Sequence, residues 1–403
     1  MKNFLENKNI VLGVCGGIAA YKTVEFLRLL KKKRANVRVI MTRNAKQFVG
    51  PTTFEALAQG PVCTRLFEKN SNPSIRHIEW AASADAVVIA PATANMIGKF
   101  ANGIADDGLS TFMLAVSSQI ILCPSMNTNM FESRPVQRNL KTLEQDGSII
   151  LAPGSGQLAC GTSGTGRLPE PEQILDRLEC ALTPKDMKGL RVLVTAGPTR
   201  EPIDPVRFIS NPSSGKMGFA IARAAEYRGA EVVLITGPTN LPAPLNMDVI
   251  NIEKAEEMAN AVFEHMDHSD VIIKAAAVSD YRPHTHAEHK IKKSKDELTL
   301  LLKKNQDILS EVGKRKTDQI LVGFAAETQE LKSNATKKLA AKNLDIIAGN
   351  LVSEPGSGFG ADKNLVTLFY RNGKVEPLPE MEKQAVAHVL LDRVVRLKNR
   401  VSF

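Results

Sequence analysis

Along the first 180 residues, short apolar runs rich in β-branched residues alternate with stretches of helical period. The runs are NIVLGV, NVRVIMT, DAVVIAP, QIILCP and SIILAP, and segments such as AAYKTVEFLRLLKKK lie between them. Strands this continuously apolar are buried on both faces, and helical crossovers between them make a sheet parallel. The spacing predicts a doubly wound α/β domain. PEPEQILDRLECALTPKDMK then reads as a terminal helix and a polar, proline-bearing linker, after which the pattern restarts. RVLVTAG, EVVLITG, DVIIKAAA, ILVGFAAE and DIIAGN are five further candidate strands, with GKMGFAIARAAEYRGA among the helical segments between them. LVTLFYRNGKVEPL predicts a hairpin on an RNGK turn, and a last helix is expected from about Glu380. Two α/β domains, 1–184 and 189–403, are the resulting expectation.

A length of 403 residues agrees, being too long for one ordinary core. Cys15, Cys63, Cys123, Cys160 and Cys180 are odd in number and widely spaced, with no CxxC pair. That excludes an obvious disulfide framework or zinc site and fits reduced thiols in a cytoplasmic protein. MKNFLENKNIVLGV lacks the apolar core of a signal peptide, and no apolar run reaches the roughly eighteen residues of a bilayer span, so no membrane partner is expected. A net charge of +9 could answer to nucleic acid, but aromatics are 5% and no RNP-like or zinc-finger pattern occurs. Attraction of phosphorylated small molecules accounts equally for a basic surface.

Both halves open with a strand running into a glycine turn, VLGVCGGIAAYK at 11–22 and VLVTAGPTRE at 192–201. Such turns leave backbone N–H groups at a helix start, where phosphate oxygens bind; they also simply tighten a strand-to-helix corner, and either use fits here. CGGIAAYK, APATANM with Asn95 and PSMNTNM with Asn127 lie at the carboxyl ends of predicted strands, where open parallel sheets bind ligands. His77, in SIRHIEW, begins a helical pattern and is the only histidine before residue 265, a candidate for acid–base work or a plain surface residue. Asn127 does not titrate near neutrality, so it holds a carboxylate or amide, or else caps a helix at TNMFES. GSGQLACGTSGTGR reads as a glycine-rich loop around the lone thiol of Cys160, either a flap over a substrate or a mobile loop that happens to carry a cysteine.

In the second half, NPSSGKMGFA at 211–220 puts small residues and a lysine at a helix start, suited to an anion or to a capped serine turn. KIKKSK is a solvated face or a phosphate-binding run. His284, His286 and His289 in HTHAEH share no strand or helix period and are read as an exposed loop rather than a metal site.

CGGIAAYK, APATANM, PSMNTNM and GSGQLACGTSGTGR, in this order and spacing, resemble the flavin-dependent phosphopantothenoylcysteine decarboxylases. AGPTREPIDPVRFISNPSSGKMG, KAAAVSDYRP, HKIKKSKDELTL and GFAAET resemble the phosphopantothenate–cysteine ligases. The two resemblances cover nearly the whole chain and are together similar to the fused bacterial form of coenzyme A biosynthesis. They imply two Rossmann-like domains, an N-terminal HFCD-type flavoprotein domain and a C-terminal ligase domain with a mostly parallel sheet. The implied ligase joins 4'-phosphopantothenate to L-cysteine through an acyl-cytidylate made from CTP. The implied decarboxylase converts the product to 4'-phosphopantetheine, using FMN as the electron sink that decarboxylation of an unactivated cysteine needs.

Residue by residue, the resemblance makes Cys160 the proton donor, His77 the active-site histidine and Asn127 the holder of the substrate carboxylate. Gly16, Gly17, Ile18, Ala19, Thr42, Ala92, Thr93 and Asn95 would contact FMN. Asn211 and Arg207 would serve conversion of the acyl-cytidylate, with Lys290 beside them. Ala275, Ala276, Ala277, Asp280, Lys290, Asn305, Gln306, Asp307, Ile308, Phe324, Lys338 and Lys342 would contact CTP, with Mg2+ held on its phosphates. Trimeric decarboxylase and dimeric ligase contacts are implied as well, which together allow a closed homo-dodecamer. Three positions depart from the pattern: Cys15 stands where many relatives have serine, Phe131 where Trp or Tyr is usual, and Gln306 where NPDI has proline, which puts the local backbone of the nucleotide loop in question.

Two other classes compete. A nicotinamide-dependent oxidoreductase would want an acidic residue after the second strand, where NVRVIMTR ends in threonine and arginine. A flavin-storing or nucleic-acid-binding protein with a dead active site is disfavoured because the candidate residues of both sites are present.

Overall fold

The computed structural model describes residues 4–65, 73–158, 161, 163–244, 246–292, 298–327, 329–351 and 361–400. The chain divides into two units, Asn3–Thr183 and Pro184–Phe403.

In the first unit β1 (Asn9–Val14), β2 (Asn36–Met41), β3 (Val62–Cys63), β4 (Ala86–Ala92), β5 (Gln119–Pro124) and β6 (Ile149–Ile150) form one sheet in the order β3-β2-β1-β4-β5-β6. All neighbours pair in parallel. Alternate side chains of a strand point to opposite faces, so each apolar run feeds two cores. Ile10, Leu12 and Val14 meet Phe26, Leu30, Phe54 and Leu178 on one side. Val11, Val87 and Ile89 meet Met96, Phe112 and Leu140 on the other. β4 is buried along its entire length, as a central strand must be.

The glycine stretch at 154–167, expected as a loop, is instead largely an antiparallel pair, β7 (Gly154–Gln157) and β8 (Ser163–Arg167). Glycine has little strand propensity, so no local pattern announced the pairing. What secures it is non-local: Met126 N donates to Gly166 O at 3.0 Å, and a Cβ on Gly166, whose φ is +152°, would stand 2.1 Å from Met126 O. Likewise SIILAP contributes only the two residues of β6.

The second unit contributes β9 (Arg191–Ala196), the pair β10 (Arg200–Pro202) and β11 (Phe208–Ser210), β12 (Glu231–Thr236), β13 (Asp248–Asn251), β14 (Val271–Lys274), and the pair β15 (Tyr281–Pro283) and β16 (Leu302–Lys304). β17 (Ile320–Glu327), β18 (Ile346–Leu351), β19 (Lys363–Asn364), β20 (Thr367–Tyr370), β21 (Val375–Pro377) and β22 (Met381–Glu382) follow. The main sheet runs β13-β12-β9-β14-β17-β18-β20-β21, parallel as far as β18 and antiparallel beyond it. β20 and β21 close on the RNGK turn, where Gly373 takes φ +86°. Helices Lys216–Tyr227 and Lys383–Lys398 cover one face around Val194, Ile273 and Val322, and helices Ala255–Met266, Ile308–Arg315 and Leu331–Ala341 cover the other around Leu193, Ile272 and Leu321. β13 and the three small pairs went unpredicted because each is four residues or fewer, too short for a period to register.

Candidate active sites

At the carboxyl edge of the first sheet, the turns after β1, β4 and β5 and the β7–β8 hairpin enclose a cavity of about 560 Å³. Gly16, Gly17, Ile18, Ala19, Thr93, Asn95 and Asn127 all line it. A Cβ on Gly16 would approach Asn44 Cβ to 2.4 Å, so the turn can pass there only as glycine. Ile18, Tyr21 and Met130, each at least half exposed, present bare apolar surface suited to a flat ring system. Thr93 caps helix Ala94–Ala101, accepting from Met96 N at 3.4 Å. Asn127 is both things the sequence allowed: its Oδ1 caps helix Thr128–Glu132, accepting from Asn129 N at 2.9 Å, while the residue borders the cavity.

Two of the eight residues expected at the flavin are not on that lining. Ala92, the last residue of β4, is fully buried in the sheet, and Thr42 turns its hydroxyl to accept from Ala45 N at 3.3 Å. His77 falls on helix Pro73–Ser83 with its side chain outside the described residues, and Cys160 lies outside them altogether. The described flanks of position 160 are nevertheless informative: Leu158 lines the cavity, and Gly161 N donates to Leu158 O at 2.9 Å. Arg167, the one charge of the glycine stretch, also lines it. Cys15 stands behind the turn, and burial pushes its thiol up to about 12, with hydrogen bonding to Thr93 opposing; it is an inert space-filler.

The second sheet carries a cavity of about 440 Å³ at the same edge. Residues 211–218 and 275–278 line it, with Phe324, Ala326, Asn350, Asn364 and Lys383. Asn211 Nδ2 donates to Val278 O at 3.0 Å and so ties the two main lining segments together. Helix Lys216–Tyr227 starts from Gly215 at φ +74°, with no side-chain cap and no acidic residue in its first turn, an arrangement that favours an anion. Glycine is obligatory there, since a Cβ would meet Thr239 Cγ2 at 2.7 Å.

Arg207 is not on the lining. Its Nε donates to Asp204 Oδ2 at 3.0 Å, and its Nη2 donates to the same oxygen and to Ile291 O at 3.0 Å. Asp204 is buried and also accepts from Val206 N at 2.8 Å, Arg207 N at 2.9 Å and Ile291 N at 3.1 Å. The Arg207 guanidinium, joined by these backbone donors, holds the carboxyl well below the usual carboxylate range. The clasp anchors the exposed segment that carries Lys290.

Of the expected nucleotide contacts, Ala275, Ala276, Ala277 and Phe324 line the cavity and the others do not. Asn305 is buried with its carboxamide spent on the protein, donating to Ser279 O and accepting from Arg282 Nη1, both at 2.8 Å. Asp307 caps helix Ile308–Arg315 through Ser310 N at 3.0 Å and pairs with Lys342 at 2.8 Å. Lys338 pairs with Glu327 at 2.6 Å, Ile308 is core, and Asp280 and Gln306 are exposed. Nearby, Lys274 ends β14 buried, with Met258 Sδ at 4.0 Å as its contact. Burial pulls its ammonium down to about 7, Asp307 opposing and Lys342 adding to the effect. A lysine closing an otherwise apolar run was the signal for it, and sequence reading passed it over. His284, His286 and His289 sit on an exposed loop, and among the described residues no group of three or more His, Cys, Asp or Glu side chains is placed to hold a metal.

Residues 2–182 match the Flavoprotein family, and residues 187–397 match the DNA/pantothenate metabolism flavoprotein C-terminal domain. Over 401 residues, 98% of this chain and 98% of the relative, the chain is 48% identical to the coenzyme A biosynthesis bifunctional protein CoaBC of Bacillus subtilis strain 168. It is 44% identical over 396 residues to the protein of the same name from Escherichia coli K12, covering 97% of each. A crystal structure of the C-terminal domain of a coenzyme A biosynthesis bifunctional protein CoaBC is 42% identical, covers 54% of this chain and 99% of its own, and superposes with a TM-score of 0.47.

Proposed function

The chain belongs to the family of bifunctional coenzyme A biosynthesis proteins, and from that premise we propose how its residues divide the work. It is a bifunctional enzyme, a ligase of cysteine to 4'-phosphopantothenate and a flavin-dependent decarboxylase of the product to 4'-phosphopantetheine.

The decarboxylase is assigned to residues 1–184 and the ligase to 189–403. FMN, the flavin of this reading, supplies when bound a reversible two-electron oxidation of the substrate thiol. Gly16, Gly17, Ile18, Ala19, Thr93 and Asn95 hold it, and the apolar walls keep water from the reacting carbon. Asn127 orients the substrate carboxylate, with its own oxygen already fixed by the helix cap. Cys160, which falls between β7 and β8 in the sequence, returns a proton to carbon after CO2 has left, and His77 serves the same site. The observation that supports this reading most is Leu158 on the cavity wall, two residues from Cys160.

In the ligase, the phosphopantothenate carboxylate attacks the α-phosphorus of CTP, releasing pyrophosphate; the cysteine amine then attacks the acyl carbon, releasing CMP and a proton. The turn at 211–218 and the 275–278 segment hold these groups, with Asn211 fixing one to the other. Arg207 acts through the Asp204 clasp, which sets where Lys290 reaches. Asp307, Lys338 and Lys342 are already ion-paired, so they contact nucleotide only after exchanging partners. Mg2+ comes with the CTP phosphates rather than to a protein cage. A cytoplasmic homo-oligomer with trimeric decarboxylase and dimeric ligase contacts completes the proposal; among the described residues no helix is long and apolar enough to cross a membrane.

The test uses purified full-length protein with 4'-phosphopantothenate, cysteine, Mg2+ and either CTP or ATP. The expected preparation is yellow, releases FMN on denaturation, and with CTP forms CMP, pyrophosphate and 4'-phosphopantetheine. A colourless, flavin-free preparation sinks the decarboxylase assignment, and equal rates with ATP sink the choice of nucleotide.

A further inference from the structure

Asn364 and Lys383 line the second cavity and have no part in the reading above. Asn364 is 7% exposed, and its Oδ1 has no hydrogen-bond partner among the described residues. Buried polar atoms are rarely left so, and one that belongs to a residue lining a cavity points to a ligand. The position is well built: β19 and β22 pair antiparallel, setting Asn364 opposite Met381, and Lys383 N then donates to Asp362 O at 3.0 Å as helix Lys383–Lys398 begins. Lys383 Nζ donates to Ala361 O, while Asp362 is engaged by Lys216 at 2.6 Å. Burial and then the charge of Lys216 pull the Lys383 ammonium below the usual lysine range, with Asp362 opposing.

The charge count on this lining is one-sided. Lys216 and Lys383 are on it, no acidic residue is, and the uncapped start of helix Lys216–Tyr227 adds the positive end of its dipole. Asp362, off the lining, pairs with Lys216 and opposes the charge of Lys383 only in part, so the lining keeps a net positive charge, and beside it the unpaired Oδ1 of Asn364 lacks a donor among the described residues.

We propose that Lys383 and Asn364 form a phosphate-group subsite, Lys383 and the helix start binding the phosphate oxygens and Asn364 bonding a hydroxyl or amide a few bonds from that phosphate. The proposal rests on the second unit being the ligase. Both phosphorylated ligands of that reaction, the nucleoside triphosphate and the phosphorylated acid, have such an arrangement.

Steady-state ligation by full-length Lys383→Gln, with CTP and 4'-phosphopantothenate varied in turn, separates the sources. Losing a charge-assisted bond should raise one KM ~10-fold or more, with kcat within about twofold of the parent. A rise for CTP assigns the subsite to the triphosphate, and a rise for the acid assigns it to the 4'-phosphate. Lys383→Arg should recover most of the affinity. Asn364→Asp keeps the volume and adds a negative charge, so it should raise the same KM; Asn364→Ala should raise it by less. Decarboxylation of supplied phosphopantothenoylcysteine by each variant serves as the check on intact protein. Two unchanged KM values in a Lys383→Gln protein that still ligates overturn the subsite, as does an Asn364→Asp protein with parental KM values. If the parent protein itself does not ligate, the assignment of the second unit fails instead.

Discussion

Both units place a cavity at the carboxyl edge of a sheet with the same order, β3-β2-β1-β4-β5-β6 in the first and β13-β12-β9-β14-β17-β18 in the second, and both linings carry two basic side chains and no acidic one, yet the rest of each lining differs. In the first, β1 passes through residues 15–19 straight into helix Ala20–Lys32, and the walls are dominated by glycine, methionine, leucine and amide side chains, with Lys22, paired to Glu170, and Arg167 at the margin of that apolar surface. In the second, residues 197–215 intervene between β9 and helix Lys216–Tyr227, carrying the β10–β11 pair and the Asp204 clasp, and two lysines face the space. One sheet order thus carries two differently walled cavities, the first rich in bare apolar side chains and the second in small residues at a helix start, and the segments that join the strands rather than the sheet make the difference.

If the linings are independent, a break in one should spare the other. Gly166→Ala is the severest such break, since its Cβ has nowhere to go beside Met126 O and the φ is wrong for alanine. Decarboxylation should fall ~100-fold or more with loss of bound flavin, while ligation stays within about twofold. Flavin content and the two half-reaction rates of one preparation decide it, and a parallel loss of ligation would show the sites to be coupled. Asn211→Asp is the converse: acyl-cytidylate should accumulate and ligation drop by about tenfold or more, with the flavin site untouched. Rapid-quench analysis that finds no accumulated intermediate at parental rates removes Asn211 from that step.

Lys274 gives the comparison a pH dependence that should belong to the second unit. Its amine is near 7 in the folded protein and near the ordinary lysine value when unfolded, so between those limits the unfolded chain holds the extra proton and stability rises with pH. The burial penalty is full below about pH 7 and fades towards about pH 10. Lys274→Met should therefore stabilise the second unit by on the order of 2 kcal/mol near pH 6 and by little near pH 10. Denaturant melts at the two pH values measure this, and a gain that does not vary with pH would mean that Lys274 stays charged in place. The smallest effect is expected from Cys15→Ser, which replaces an inert thiol behind the glycine turn and should leave flavin content within about twofold of the parent. Loss of flavin would give Cys15 a part in shaping that turn.

Ten of the twelve strands in the two main sheets' parallel parts are visible in the sequence as apolar runs, because strand burial is recorded locally by a period of two or by an unbroken apolar stretch. The two exceptions, β3 and β13, are edge strands of two and four residues that pack too little to leave a pattern. The sites divide in the same way. Gly16, Gly17, Asn127, Asn211 and the alanines at 275–277 can be picked out by motif because each lies in a turn directly after a strand, where sequence neighbours are also neighbours in space. Ala92 and Thr42 lie in equally suggestive motifs, but the last residues of a strand alternate between edge and interior, and only packing shows which way a given side chain turns.

What the sequence determined alone is therefore the pair of doubly wound units, the glycine turns that open them and the hairpin on RNGK, all products of short-range sterics and apolar periodicity. Only the tertiary structure decided that the glycine-rich segments 154–157 and 163–167 pair with each other and dock on Met126, and that Asn305 and Arg207 are consumed by internal bonds. It alone also brought Asn364 and Lys383, from a short bridge far along the chain, to the turn at 211–218. Each of these depends on partners distant in sequence, whose meeting follows from how the sheet stacks its helices and loops.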